Sequence, residues 1–222
     1  MQQQQEHVYS SITMETAGTA DPARSDLALP FFVDDLGKFS RKTAQLMVVA
    51  AHALRAMDAS LNAAFVASRP LRREKLIEWN EGLAYHVFET TLVYEVFKAW
   101  LPISSVHWEP RYEGGSQKRA DLVVVDDGSK RIFEFKWWLS NNKMVLKGLR
   151  QDVDKLRKVR DNTVERILVG LWWGWNWEQD QKDIERANLP NAPLAWLARF
   201  PTHVQKRDNS YFAVAGLLVD SC

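Results

Sequence analysis

The segment Ile132-Phe133-Glu134-Phe135-Lys136-Trp137-Trp138 sets two charged residues among aliphatic and aromatic ones. In an extended chain, side chains alternate between faces. Ile132, Glu134, Lys136 and Trp138 then share one face, and Phe133, Phe135 and Trp137 share the other. A charge buried among apolar neighbours is expensive unless it is paired or holds a metal. Asp121 opens the preceding apolar run, Leu122-Val123-Val124-Val125. The link between the two runs is short enough to bring Asp121 beside Glu134. Adjacent carboxylates repel, and a hard divalent cation such as Mg²⁺ relieves that repulsion. A lysine two residues beyond the acid can orient or deprotonate a metal-bound water, or stabilise charge developing on a phosphate. A purely structural Lys136–Glu134 pair, with Asp121 at an exposed strand end, satisfies the same pattern.

Glu89 is a third acid of interest. On a helical wheel it lies within the face carrying Tyr85, Leu92, Val93, Val96 and Trp100, while Glu81 and Glu95 fall well round the helix. An acid so placed needs a partner: the other acids through a metal, or His86, Arg111 or Arg119. The segment after the lysine strand has a stripe of Val145, Leu149, Val153 and Leu156, with Asp152 at its edge. The remainder is basic: Lys147, Arg150, Lys155, Arg157, Lys158 and Arg160, against Asp152 and Asp154. Such a surface is either an ordinary solvated helix face or a contact for phosphates. Arg72, Arg73 and Lys75 form a second basic group.

These residues need a scaffold. Residues 1–29 combine a Gln run with small and polar residues and read as a disordered tail without a standard signal peptide. From Phe31 to Ser68 the apolar period is helical, with Asp34 and Asp35 as candidate caps. A second helix is expected from Leu71 to Trp100. Strands are expected at 106–112, 120–125 and 131–138, with a turn at 113–116. A helix follows over 141–160 and an apolar strand over 167–173. Helical pieces are expected near 178–187 and 193–199, and a last strand over 211–219. The class is α/β, divided as a tail (1–29), a helical segment (30–70) and one domain (71–222).

Composition excludes several classes. The 222 residues are 46% hydrophobic and 26% charged, with 29 basic against 28 acidic side chains, so nucleic-acid binding requires a local patch rather than bulk basicity. The single cysteine, Cys222, excludes an internal disulfide framework. No apolar run is long enough for a membrane span. Ten tryptophans are unusual. Trp172 and Trp173 read as packing, and Trp175 and Trp177 as packing or a base-stacking platform.

The residues Arg119-Ala120-Asp121-Leu122-Val123-Val124 and Phe133-Glu134-Phe135-Lys136, between an acid-bearing helix and a basic one, resemble the PD-(D/E)xK nuclease superfamily. Ala120 stands where the motif often has proline. The resemblance spans roughly 81–173 and implies a restriction-endonuclease-like αβββαβ core with a mixed sheet flanked by helices. It implies Mg²⁺, with Mn²⁺ as a substitute, held by Asp121, Glu134, the Phe135 carbonyl and Glu89. Lys136 would act at the attacking water, Asp152 and Arg119 would support the ligands, and Lys147, Arg150, Lys155, Arg157 and Lys158 would meet the nucleic acid. The implied protein is a cytoplasmic endonuclease on double-stranded DNA, working as a homodimer to cut both strands, with the helix over 32–68 available for that contact. A catalytically silent binding or inhibitory module and a nuclease toxin domain are the alternatives.

Overall fold

The computed structural model describes residues 31–68, 88–111, 119–126, 128–138, 143–159, 161, 163–174, 176–187, 189, 191–202 and 210–221. The readings made on the tail, on Arg72, Arg73, Lys75, Glu81, Tyr85 and His86, on the turn at 113–116, on Arg160 and on Trp175 lie outside them. In chain order the elements are β1 (Phe32–Asp35), α1 (Arg41–Ser68), α2 (Glu89–Trp100), β2 (Ser105–Trp108), β3 (Leu122–Asp126), β4 (Ser129–Trp137), α3 (Lys143–Arg157), β5 (Val164–Gly174), α4 (Trp177–Ala187), β6 (Leu194–Pro201) and β7 (Tyr211–Leu218). The strands form one mixed sheet in the order β1-β6-β7-β5-β4-β3-β2. Among the described strands only β4 and β5 run parallel, and α3 makes the crossover between them.

The alternation read in Arg131–Trp138 divides the protein into two cores. Phe133 and Phe135 face α1 and α2, where Leu46, Met47, Ala50, Leu54, Leu92, Val96 and Trp100 are buried against the sheet. Ile132 and Trp138 face the opposite way, onto Leu149, Val153 and Leu156 of α3. β5 is buried on both faces along most of its length, as its unbroken apolar run requires. The Trp100 indole N–H donates to the Leu46 carbonyl at 2.8 Å and ties the two helices of the first layer together.

Two segments depart from the helical expectation. Phe32–Asp35 is not the start of a helix but an edge strand antiparallel to β6. Gly37 follows with φ +67°, and its N–H donates to Asp35 Oδ1 at 2.9 Å. That turn separates strand from helix. Neither Asp34 nor Asp35 caps α1; Ser40 does, its Oγ accepting from the Thr43 N–H at 3.2 Å. Residues 193–199 are likewise not helical. Leu194–Pro201 is β6, held between β1 and β7, and tertiary pairing overrides the helix propensity of its Leu, Ala and Arg residues.

The start of α1 is fastened to the far end of the sheet by a buried polar network. Arg131 and Glu165 are register partners across β4 and β5. The Glu165 carboxylate accepts from the Ser40 N–H at 3.0 Å and from the Ser40 hydroxyl at 2.8 Å, and also from the Thr43 hydroxyl. Arg131 Nε donates to Thr43 Oγ1 at 3.1 Å and lies 3.6 Å from Glu165 Oε2. Replacing Glu165 by alanine strips a buried guanidinium of its main counter-charge and α1 of its anchor. The expected loss is about 3 kcal/mol in urea unfolding; a loss below roughly 0.5 kcal/mol, the level of an ordinary surface substitution, would remove the network from the account of stability.

Candidate active site

The antiparallel register pairs Leu122 with Phe133, so one further step sets Asp121 opposite Glu134. Asp121 is held from both sides. Its carbonyl accepts from the Glu109 N–H at 3.0 Å, and its Oδ2 accepts from the Phe135 N–H at 2.7 Å. Glu134 is 2% exposed. Its Oε1 lies 2.6 Å from Lys155 Nζ, which α3 delivers across the sheet face. Glu89, the first residue of α2, reaches round the end of β4: its Oε2 accepts from the Trp137 N–H at 2.6 Å and its Oε1 from Lys136 Nζ at 3.4 Å. The four residues expected to act together, Asp121, Glu134, Lys136 and Glu89, therefore converge at one end of β3 and β4. The Phe135 main chain lies in the same place.

The electrostatics follow from burial and crowding. Burial pushes the Asp121 carboxyl above the usual carboxylate range. The Phe135 N–H and the Lys155 ammonium pull it down, whereas Glu89 and Asp152 push it further up. Burial lowers the Lys136 ammonium, but Glu89, Asp152 and Asp121 outweigh that and leave it above an ordinary lysine. Lys136 is consequently an ammonium at neutral pH in this environment. It can donate hydrogen bonds and stabilise negative charge, but it is poorly suited to remove a proton.

The other expected residues divide. Asp152 lies within electrostatic reach of both Asp121 and Lys136. Arg119 pairs with Glu109 at 3.3 Å rather than with a site acid. It nevertheless lines, with Gln151, Asp152, Asp154, Lys155 and Lys158, an open groove of about 490 Å³ beside the site. Lys147 and Arg150 are exposed on α3 and Lys158 just beyond its end, whereas Arg157 is half-buried. Lys155 departs from the expectation of a surface contact, because its ammonium is spent on Glu134. Glu95 pairs with Lys98 at 2.8 Å and takes no part in the site.

Two glycines that the sequence reading passed over shape this site. A Cβ on Gly148 of α3 would lie 3.3 Å from Lys136 Cε, so the glycine lets the helix close over the lysine stem. A Cβ on Gly170 of β5 would lie 2.7 Å from the Trp138 ring. A glycine within a helix, and one within a buried strand, are the signals that mark such close approaches. The tryptophans are mostly structural. Trp172 is buried, Trp173 packs against the first core, and Trp177 stacks on Trp172 with the Arg199 guanidinium over its ring. Protein groups already occupy the Trp177 ring, which leaves it unsuited to stack a base.

The donors suit a hard divalent cation: all are oxygens, and acids crowd Asp121. Each carboxylate nevertheless already has a protein partner, and among the described residues no three His, Cys, Asp or Glu side chains are grouped as a ready metal set. No family model, no curated protein and no solved structure matches the chain. No helix among the described residues is long and apolar enough to cross a membrane.

The raised Asp121 carboxyl has a consequence for stability. A group that holds its proton more tightly when folded stabilises the fold at low pH, and that contribution is lost as pH rises through the folded value. Above it, the ionised form is a standing cost. Asp121→Asn keeps an acceptor for the Phe135 N–H and removes the charge. The variant should melt at a higher temperature than the wild type at pH 8, with the gap closing toward pH 4. A variant that melts lower at pH 8 would mean that the Asp121 charge is well compensated.

Proposed function

We propose that the chain is a metal-dependent phosphodiesterase that cleaves DNA, with a restriction-endonuclease-like core. The observation that supports it best is the convergence of Asp121, Glu134, Lys136 and Glu89 at the end of β4. The element order from α2 through β5 is the αβββαβ order that the PD-(D/E)xK resemblance implies. On this reading Asp121, Glu134 and the Phe135 carbonyl hold Mg²⁺, with Glu89 joining directly or through water. When bound, the ion neutralises charge on the phosphate and on the leaving oxygen.

The chain's own residues supply the rest. Lys136, kept as an ammonium by its acidic neighbours, orients the attacking water and donates to a phosphate oxygen. Gly148 leaves room for its stem. Lys147 and Arg150 on the exposed side of α3, and Lys158 in the groove wall just past its end, position the backbone of a nucleic acid without reading its bases. One site cuts one strand, so cleavage of both strands favours a two-fold dimer.

The decisive assay is cleavage of supercoiled plasmid and of single- and double-stranded oligonucleotides, with Mg²⁺, Mn²⁺ or EDTA. Wild type should cut only with metal. Glu134→Gln should abolish cutting, and Lys136→Ala should lower it at least ~100-fold. Metal-dependent cutting that survives Lys136→Ala would sink the assigned role of that lysine.

One observation favours a second reading. The Lys155–Glu134 pair, the Phe135 N–H and the Trp137 N–H already satisfy all three acids, as in a binding module that keeps the fold without chemistry. Lys155→Met separates the two. The variant leaves Glu134 buried without its counter-ion and should melt well below wild type in EDTA. If the acids take a divalent ion, 10 mM Mg²⁺ should restore the variant, raising its melting temperature more than that of wild type. Equal responses of the two proteins to Mg²⁺ would favour the silent module.

A further inference from the structure

On the α3 side of the sheet, the edge strand β1 is exposed along its length, whereas β6 and β7 are mostly buried. A cavity of about 520 Å³ opens there, with Trp138, Trp177, Leu189, Leu194, Leu197 and Leu217 in its walls. That volume lies within the range of small-molecule sites, roughly 300–1,000 Å³. Among the described residues a single cation lines it, Arg199. The β1–β6 register sets Phe32 opposite Arg199, and Asp34 opposite Leu197. The Arg199 guanidinium lies 4.0 Å from the Trp177 ring centroid and 5.4 Å from that of Phe32. Among the described residues it donates no hydrogen bond and makes no ion pair within 4 Å; its neighbours are the two rings and the longer-range charge of Asp34.

That combination points to a ligand. Arginine remains charged, and its planar fork presents five N–H donors. Here aromatic rings cover the guanidinium, so the donors at its edge remain for an acceptor, beside an apolar cavity. A carboxylate matches the fork with two parallel hydrogen bonds. Among the described lining residues Arg199 is the one cation, and Asp34 lowers the positive potential around it. A doubly charged phosphate or a nucleic-acid backbone is therefore poorly matched, while one negative charge is well matched. The leucines and the Trp138 ring require an apolar body behind that charge.

We infer that this cavity is a binding site for a small amphipathic monocarboxylate, whose carboxylate sits on Arg199 and whose apolar body lies against Leu189, Leu194, Leu197 and Leu217. The site is separate from the acids at the end of β4, and its existence does not depend on their chemistry.

Calorimetric titration of the full chain with octanoate, octan-1-ol, octyl phosphate and acetate tests it. Octanoate should bind, with octan-1-ol and acetate each at least tenfold weaker and octyl phosphate no tighter than octanoate. Arg199→Lys keeps the charge but loses the fork and should weaken octanoate at least tenfold. Asp34→Asn, an exposed change that leaves the core intact, should tighten it severalfold. Octan-1-ol equal to octanoate, or an unchanged affinity in both variants, would overturn the proposal. Tighter binding of octyl phosphate would reassign the site to phosphate esters. No binding of any probe, with a dimeric mass by light scattering, would reassign the groove to a second copy of the chain.

Discussion

A carboxylate in the middle of an apolar strand is the constraint around which the rest of this protein is arranged. Glu134 is nearly inaccessible to solvent and cannot stay charged there alone. Lys155 answers it from α3. That requires α3 to pack close to β4, and the helix does so with Leu149, Val153 and Leu156 against the sheet and a glycine, Gly148, where the Lys136 stem passes. The parallel β4–β5 pair then follows, because a helix crossing one face of a sheet returns the chain in the same direction. A single buried charge thus sets the depth and register of a whole βαβ unit.

The opposite end of the sheet supplies the rigidity that this arrangement needs. Arg131 and Glu165, on the same two parallel strands, bind the start of α1 through Ser40 and Thr43. Arg166 faces the other way and donates to the carbonyls of Val159, Asp161 and Val164. It therefore fixes the turn that ends α3. The helix carrying Lys155 is held at its far end by a guanidinium and along its length by apolar packing. The basic residues of α3 and the acids Asp121 and Glu134 share one frame for this reason.

The site was more legible in the sequence than the edges of the sheet were. Period-two alternation in Ile132–Trp138 announces which residues share a face, and a charge pair within it stands out at once. Asp121 was found because a short link fixes the register. β1 and β6 were misread because their strand character is not local. Phe32-Val33-Asp34-Asp35 has two strand formers followed by two acids, and Leu194–Arg199 is rich in helix formers; β1 is a strand because β6 lies beside it, and β6 because it is paired on both sides, with β1 and β7. The partner of Glu134 was also hidden. Five basic residues crowd α3, and nothing in their spacing shows that Lys155 turns inward while Lys147 and Arg150 turn out. Gly148 and Gly170 carried a signal that was available, since neither position is a turn.

Charge balance at the end of β4 connects the two readings of the site. Four carboxyl groups, from Glu89, Asp121, Glu134 and Asp152, meet two ammonium groups, from Lys136 and Lys155. The deficit of positive charge falls on Asp121, whose proton is held more tightly than in water because burial and two acids oppose its ionisation. A proton on Asp121 removes half of the excess; a divalent cation removes all of it. An amide at 121 would remove that surplus charge and keep an acceptor for the Phe135 N–H, whereas an apolar residue would leave that N–H unsatisfied. The surplus acid is a standing cost to the fold above the range in which Asp121 keeps its proton.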